Sequence, residues 1–176
     1  GGVHSHISHI IETVRVAKEK GLKNVFLHVF MDGRDVSPTS GKGYVEQLEA
    51  ALAELNFGEI ASISGRFYAM DRDTRWERVE QAYNTIVHGQ GPRAASALEV
   101  VEASYAKEVY DEFIEPVAIE KAGQPVATIE DNDGIIFANF RPDRAIQLSQ
   151  ALTQDQWAHF DRGAKKDIEL VTMTFY

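Results

Sequence analysis

Residues 24–35 read NVFLHVFMDGRD, an apolar run that gives way abruptly to a turn of two aspartates, a glycine and an arginine. Val25 to Phe30 is long enough for a buried strand and too short for a helix or a membrane span. The Gly/Asp/Ser/Pro-rich stretch MDGRDVSPTSGKG then predicts a loop. Upstream, Ile7, Ile10, Ile11, Val14 and Ala17 recur at helical spacing, and Lys18, Lys20 and Gly21 close that pattern. Downstream, Tyr44, Val45, Leu48, Ala51, Leu52 and Leu55 share a helical face. The stretch at 24–35 therefore sits in a helix–strand–loop–helix alternation.

The alternation continues along the chain. Glu59 to Ser64 (EIASIS) is a second strand, followed by the polar loop GRFYAMDRDTR. Thr74 and Glu77 have capping-box spacing ahead of a helix presenting Trp76, Val79, Tyr83, Ile86 and Val87. A further helix is expected from about Ser96 to Lys107, and short strands or irregular chain from Asp111 to Asp133, where Pro116 and Pro125 interrupt the pattern. Gly134 to Phe140 (GIIFANF) predicts a strand, Pro142 to Leu152 a helix, a later helix carries His159, and Ile168 to Thr174 closes with a strand. Strands separated by helices imply an α/β fold: a three-layer α/β/α arrangement around a mostly parallel central sheet with right-handed crossovers.

Composition narrows the function classes. The 176 residues are 44% hydrophobic, enough for one domain with a substantial core. A formal net charge of −9 argues against nucleic acid or an anionic membrane surface as the main partner. Cysteine is absent, which removes disulfides, thiolate catalysis and thiolate-bound metals. The opening Gly1-Gly2 carries no methionine, basic leader or apolar segment, and reads as a cut piece of a soluble protein rather than a signal peptide.

In sheets of this kind ligands sit beyond the carboxyl ends of the strands. That rule selects the loops DGRD, GRFYAMDRDTR and NFRPDR, which hold Arg34, Arg66, Arg72, Arg75, Arg141 and Arg144, six of the ten arginines. Guanidinium forks match carboxylate and phosphate oxygens, so their convergence would form a pocket for a small multiply charged anion. No P-loop or GxGxxG occurs. The bland alternative pairs each arginine with Asp32, Asp35, Asp71, Asp73 or Asp143 as ordinary loop salt bridges. Asp35 is a candidate general base, with a turn aspartate as its alternative.

The histidine-rich start, HSHISH, suits either zinc or an anion loop. His4 and His6 precede the first helix, whose N-terminus favours an anion, while His9 falls inside the helical pattern and reads as a surface or packed residue. A stand-alone anion-binding module and an HxH metal-dependent hydrolase remain open on these residues.

Taken in order from residue 1 to residue 176, GGVHSH, DGRDVSP, GRFYAMDRDTRWERV, DEFIEP, NFRPDRAIQL and VTMTFY resemble the cofactor-independent (2,3-bisphosphoglycerate-independent) phosphoglycerate mutase family. The likeness is to its inserted substrate-binding, or phosphotransferase, domain, so residues 1–176 are expected to be that single domain of a two-domain enzyme. The resemblance implies an isomerase of glycolysis and gluconeogenesis, cytoplasmic and monomeric, interconverting 3-phosphoglycerate and 2-phosphoglycerate through a phosphoserine. The serine, two divalent metals (manganese or magnesium) and a substrate-contacting lysine would lie in the phosphatase-like domain outside this chain, leaving no metal or cofactor here. Carried over by motif, His4, Arg34, Asp35, Arg66, Arg72, Arg141 and Arg144 are the substrate-binding positions, with Asp35 and His4 catalytic. Arg75 and His6 keep structural readings. The chain alone is expected to be inactive.

Overall fold

In the computed structural model, which describes all of residues 1–176, α1 (Ile7–Glu19) leads into β1 (Phe26–Met31), the strand expected from the run at 24–35. After the DGRD loop comes α2 (Gly41–Leu55), which ends where Asn56 adopts a left-handed φ of 48°. The chain returns as β2 (Glu59–Gly65), parallel to β1. The register slips once: Leu27 lies opposite Ile60, but His28 lies opposite Ser62. Ala61 is the extra residue, and this change of parity lets Ile60 and Ile63 enter the same core.

Beyond β2 follow α3 (Arg66–Ala69), α4 (Trp76–His88), β3 (Arg93–Ala94) and α5 (Ala97–Tyr105). A 3₁₀ turn at Asp111–Phe113 enters β4 (Val117–Lys121), which turns back as β5 (Gln124–Pro125). The chain ends with β6 (Gly134–Phe137), a 3₁₀ turn at Pro142–Arg144, α6 (Ile146–Thr153) and β7 (Glu169–Thr172).

The three-layer expectation holds. The main sheet has the order β1-β2-β4-β3, with β5 attached to β4. One core joins Val14 of α1, Val45, Leu48 and Leu52 of α2, and Val100 and Val101 of α5 to that sheet. A second core, built from Val79, Tyr83, Ile86 and Val87 of α4 and Leu148 and Leu152 of α6, covers the opposite side. Most pairings are parallel, but β4 runs antiparallel to β2. This brings the chain entering β4 to the carboxyl end of β2.

Several local expectations are corrected. The strand expected over Gly134 to Phe140 ends at Phe137, and it pairs only with β7 in a separate two-stranded sheet. Thr74 does not cap α4: it has a left-handed φ of 57°, and the buried Asp71 carboxylate instead accepts hydrogen bonds from the N–H groups of Asp73 and Arg75. A local TxxE pattern lost to a buried acid that could satisfy two turn donors at once. His159 lies in no helix; its ring stacks on Trp76 with centroids 4.0 Å apart. Pro142 opens a 3₁₀ turn rather than α6 itself, and Arg66 lies in the first turn of α3 rather than in a loop.

Candidate functional site

The parallel β1 and β2 end side by side, Met31 opposite Gly65. Their exits place Asp32 and Asp35 next to Arg66. Asp32 is the organiser of the first loop. Its Oδ1 accepts from the N–H of Arg34 (3.1 Å) and of Asp35 (2.9 Å), an Asx-type turn, and from Arg66 Nη1 (2.8 Å). Burial pushes the Asp32 carboxyl upward, but these donors outweigh it and hold it below its ordinary range.

Arg66 is 3% exposed and forms the centre of the cluster. The same Nη1 also donates to Asp35 Oδ2 at 2.6 Å, and Nη2 approaches His4 Nε2 at 3.4 Å. A guanidinium can only donate, so Nε2 accepts and the proton of neutral His4 is assigned to Nδ1. Burial lowers the His4 imidazole below its ordinary value, and Arg66 and Arg141 lower it further against the opposing pull of Asp143 and Asp35. His4 Nδ1 and Arg66 Nε are both buried without a protein partner. The Asp35 carboxylate is engaged through Oδ2 alone.

The NFRPDR loop supplies the second half. Asp143 is shared between Arg72 Nη1 (2.7 Å) and Arg141, whose Nε and Nη2 donate at 2.9 and 3.2 Å. Burial raises the Asp143 carboxyl, but the two arginines more than compensate and hold it low. Arg144 donates to the Met70 carbonyl at 3.1 Å and takes no carboxylate partner. Its guanidinium is held below its ordinary value by burial and then by repulsion from Arg66, Arg72 and Arg34. It stays charged, since even a lowered guanidinium is far from losing its proton at neutral pH. Arg144 is therefore near enough to Arg66, Arg72 and Arg34 to feel their charge. The tail is tied in as well: Tyr176 donates to the Phe137 and Asn139 carbonyls, and the Phe140 N–H donates to the His4 carbonyl at 2.8 Å.

The structure thus brings His4, Asp35 and Arg66 into direct contact and joins Arg72 to Arg141 through Asp143. Arg34 diverges: its side chain is 62% exposed and lies 3.5 Å from Glu112. Arg75 is exposed and contributes its backbone N–H to Asp71. His6 caps α1, its Nδ1 accepting from the Ser8 N–H at 3.3 Å, and His9 packs on Phe140. No three His, Asp or Glu side chains come together in a group that could hold a metal ion. Sequence pattern alone offers Asp32 and Asp143 only as ion-pair partners, whereas each orders one half of the site. The signal available for Asp32 was its position two and three residues ahead of the N–H groups it binds. Guanidinium groups beside partly open carboxylates can pair with a small polyanion and exchange a proton with it.

Comparison with known proteins follows the same outline. A family model described as the BPG-independent PGAM N-terminus matches residues 1–176. Over 178 residues the chain is 58% identical to a 2,3-bisphosphoglycerate-independent phosphoglycerate mutase of Listeria welshimeri, aligning 100% of this chain and 35% of that protein. A Clostridium perfringens protein of the same name is 52% identical over 176 residues, with 100% and 34% covered. A crystal structure of Leishmania mexicana phosphoglycerate mutase at low cobalt concentration superimposes with a TM-score of 0.94 at 31% identity, covering 98% of this chain and 33% of that one. The chain spans about a third of the length of the relatives it matches.

Proposed function

Because the chain belongs to the BPG-independent phosphoglycerate mutase family, we propose that residues 1–176 form the substrate-holding domain of an enzyme that interconverts 3-phosphoglycerate and 2-phosphoglycerate. One observation carries this reading: buried Arg66 joins buried His4 to the partly open Asp35 carboxylate, and Arg144, tied to the Met70 carbonyl, has no carboxylate partner. Arg34, Arg72, Arg141 and Arg144 would take the carboxylate and phosphoryl oxygens of the substrate in charge-assisted hydrogen bonds. Asp35 would exchange a proton with the glycerate hydroxyls through its unbonded Oδ1, with Arg66 fixing the carboxylate and His4 donating from Nδ1.

The remaining two thirds of such a polypeptide would supply the serine nucleophile and the divalent metal pair, manganese or magnesium. No group of acids or histidines here fits a metal, so the roles assigned to this chain are binding, orientation and proton exchange. The partner of this domain would be the phosphatase-like domain of the same chain, closing over the ligand in a cytoplasmic, monomeric enzyme of glycolysis and gluconeogenesis. No helix is long and apolar enough to cross a membrane.

The test is an amide-resolved NMR titration of the chain with 3-phosphoglycerate, repeated on Arg141→Ala and Arg144→Ala, with zinc as a separate ligand and turnover assayed in parallel. Shifts at His4, Arg34, Asp35, Arg66 and Arg141, weakened in both variants, with no turnover by the chain alone, are expected. Shifts at His4 and His6 with zinc, and none with 3-phosphoglycerate, would overturn the reading in favour of a metal site.

A further inference from the structure

We infer that Asp111 is a positioning residue for the substrate site: a buried carboxylate that sets the spacing between the Asp32–Asp35 loop and Arg66 without itself touching ligand. The inference rests on the phosphoglycerate-site reading above and goes beyond it by assigning a role to the turn of the DEFIEP stretch.

The topology brings Asp111 there. Since β4 runs antiparallel to β2, the turn at Asp111–Phe113 lies at the carboxyl end of the strands, where β1 and β2 release the two site loops. It is bonded to both. The Asp111 N–H donates to the Pro38 carbonyl at 3.1 Å, and the Gly65 N–H donates to the Ile114 carbonyl at 2.7 Å, one residue before Arg66. The Asp111 side chain, 1% exposed, accepts from the Gly41 N–H at 2.7 Å, at the start of α2, and from the Tyr105 hydroxyl at the end of α5. Burial raises the Asp111 carboxyl and pushes the Tyr105 phenol up as well, so Tyr105 remains a donor.

The fit leaves no slack. A Cβ at Gly33 would stand 2.8 Å from both Asp111 Cβ and the Glu112 nitrogen, and one at Gly65 would stand 2.2 Å from the Glu112 carbonyl oxygen. Contacts under 3 Å to backbone cannot be relieved by a side-chain rotation. Both site loops are therefore pressed against the same turn, and Glu112 of that turn lies 3.5 Å from the exposed Arg34. In Asp111→Asn the amide oxygen can keep the Gly41 N–H, but the NH₂ then faces the Tyr105 hydroxyl, which must reverse from donor to acceptor and loses its charged partner, so the tie that holds the turn against both loops is weakened. A displacement of about 1 Å at reacting groups can cost on the order of a hundredfold in rate.

The experiment uses the full-length polypeptide carrying this sequence, comparing Asp111→Asn and Tyr105→Phe with the wild type and with Ile129→Val, a control in the second core. Three quantities are read: kcat and KM for 3-phosphoglycerate, the guanidinium N–H resonances of Arg34 and Arg66, and the melting midpoint. Asp111→Asn is expected to lower kcat/KM at least tenfold, with KM raised and both guanidinium resonances moved, and Tyr105→Phe to do the same to a smaller degree. Ile129→Val should lower the melting midpoint with kcat, KM and the resonances unchanged. Folded Asp111→Asn with kcat and KM within twofold of the control and unmoved resonances would overturn the inference. If Asp111→Asn does not fold, the same criteria applied to Tyr105→Phe decide it. A wild-type polypeptide without mutase turnover would instead defeat the functional reading, while the resonances still report whether Asp111 positions the loops.

Discussion

The two halves of the site use the same chemistry in different surroundings. Around Arg66, whose side chain is 4% exposed, the ion pairs to Asp32 and Asp35 span 2.6–2.8 Å. Around Asp143, the shortest bonds from Arg72 and Arg141 are nearly as short, 2.7 and 2.9 Å, yet Arg72, Asp143 and Arg141 are 44%, 32% and 47% exposed. Distance alone would rank them equal. Burial separates them, because water screens the second set and leaves it free to exchange partners, whereas the buried guanidinium of the first is screened far less. The buried half is a fixed floor, and the exposed half can trade Asp143 for an incoming anion at little cost.

The largest expected effect tests the floor. Arg66→Ala leaves Asp32 and Asp35 close together without their cation and should cost about 3 kcal/mol, near the low end for a broken buried pair because each carboxylate keeps roughly a quarter of its surface in water. A shift in the urea midpoint at constant slope would record it. A loss no larger than that of an exposed pair would erase the distinction between the halves.

A pH series sharpens the comparison by separating the floor from the sheet beneath it. His28 hydrogen-bonds Ser62 across β1 and β2 at 2.7 Å, and burial lowers its imidazole to about 4. The unfolded chain binds a proton that folded His28 refuses, so stability is lost as pH falls from about 6.5 toward about 4, by at most about 1.4 kcal/mol per pH unit. His4 acts in the same direction through burial and Arg66. In stability measured against pH, His28→Gln should remove the larger part of the histidine contribution to the slope and His4→Asn a smaller part. A slope unchanged in both variants would break the assignment.

The smallest effect concerns the exposed half. Asp143→Asn should change stability by less than about 1 kcal/mol in the same denaturant assay, as exposed pairs do. A loss approaching that of Arg66→Ala would show the halves to be energetically alike.

Legibility followed the range of the signal. β1 and the helices on either side were readable because apolar spacing along the chain decides which face is buried. The meeting of the DGRD loop with Arg66 was readable because the parallel β1 and β2 end side by side, whereas NFRPDR follows β6 of a separate sheet. The capping of α4 was misread at Thr74, because the donor groups went to Asp71, whose burial depends on packing rather than on local pattern. The separation of β6 from the main sheet was equally invisible, since a strand's own residues do not name the edge they pair with. Asp111 gave no sign in sequence, for its donors come from residues six positions before it and 70 positions before it.

The sequence by itself determined the alternation of helices and strands, the side of the sheet where charge gathers, and the likeness that assigns the chain to its family. Only the tertiary structure decided which arginine is buried, which carboxylate it faces, and that β4 runs backward to wedge Asp111 between the two loops. The reason is physical: hydrophobic periodicity is a local property of the chain, whereas the worth of a charge is set by the water it has lost, and that depends on residues arriving from everywhere else in the fold.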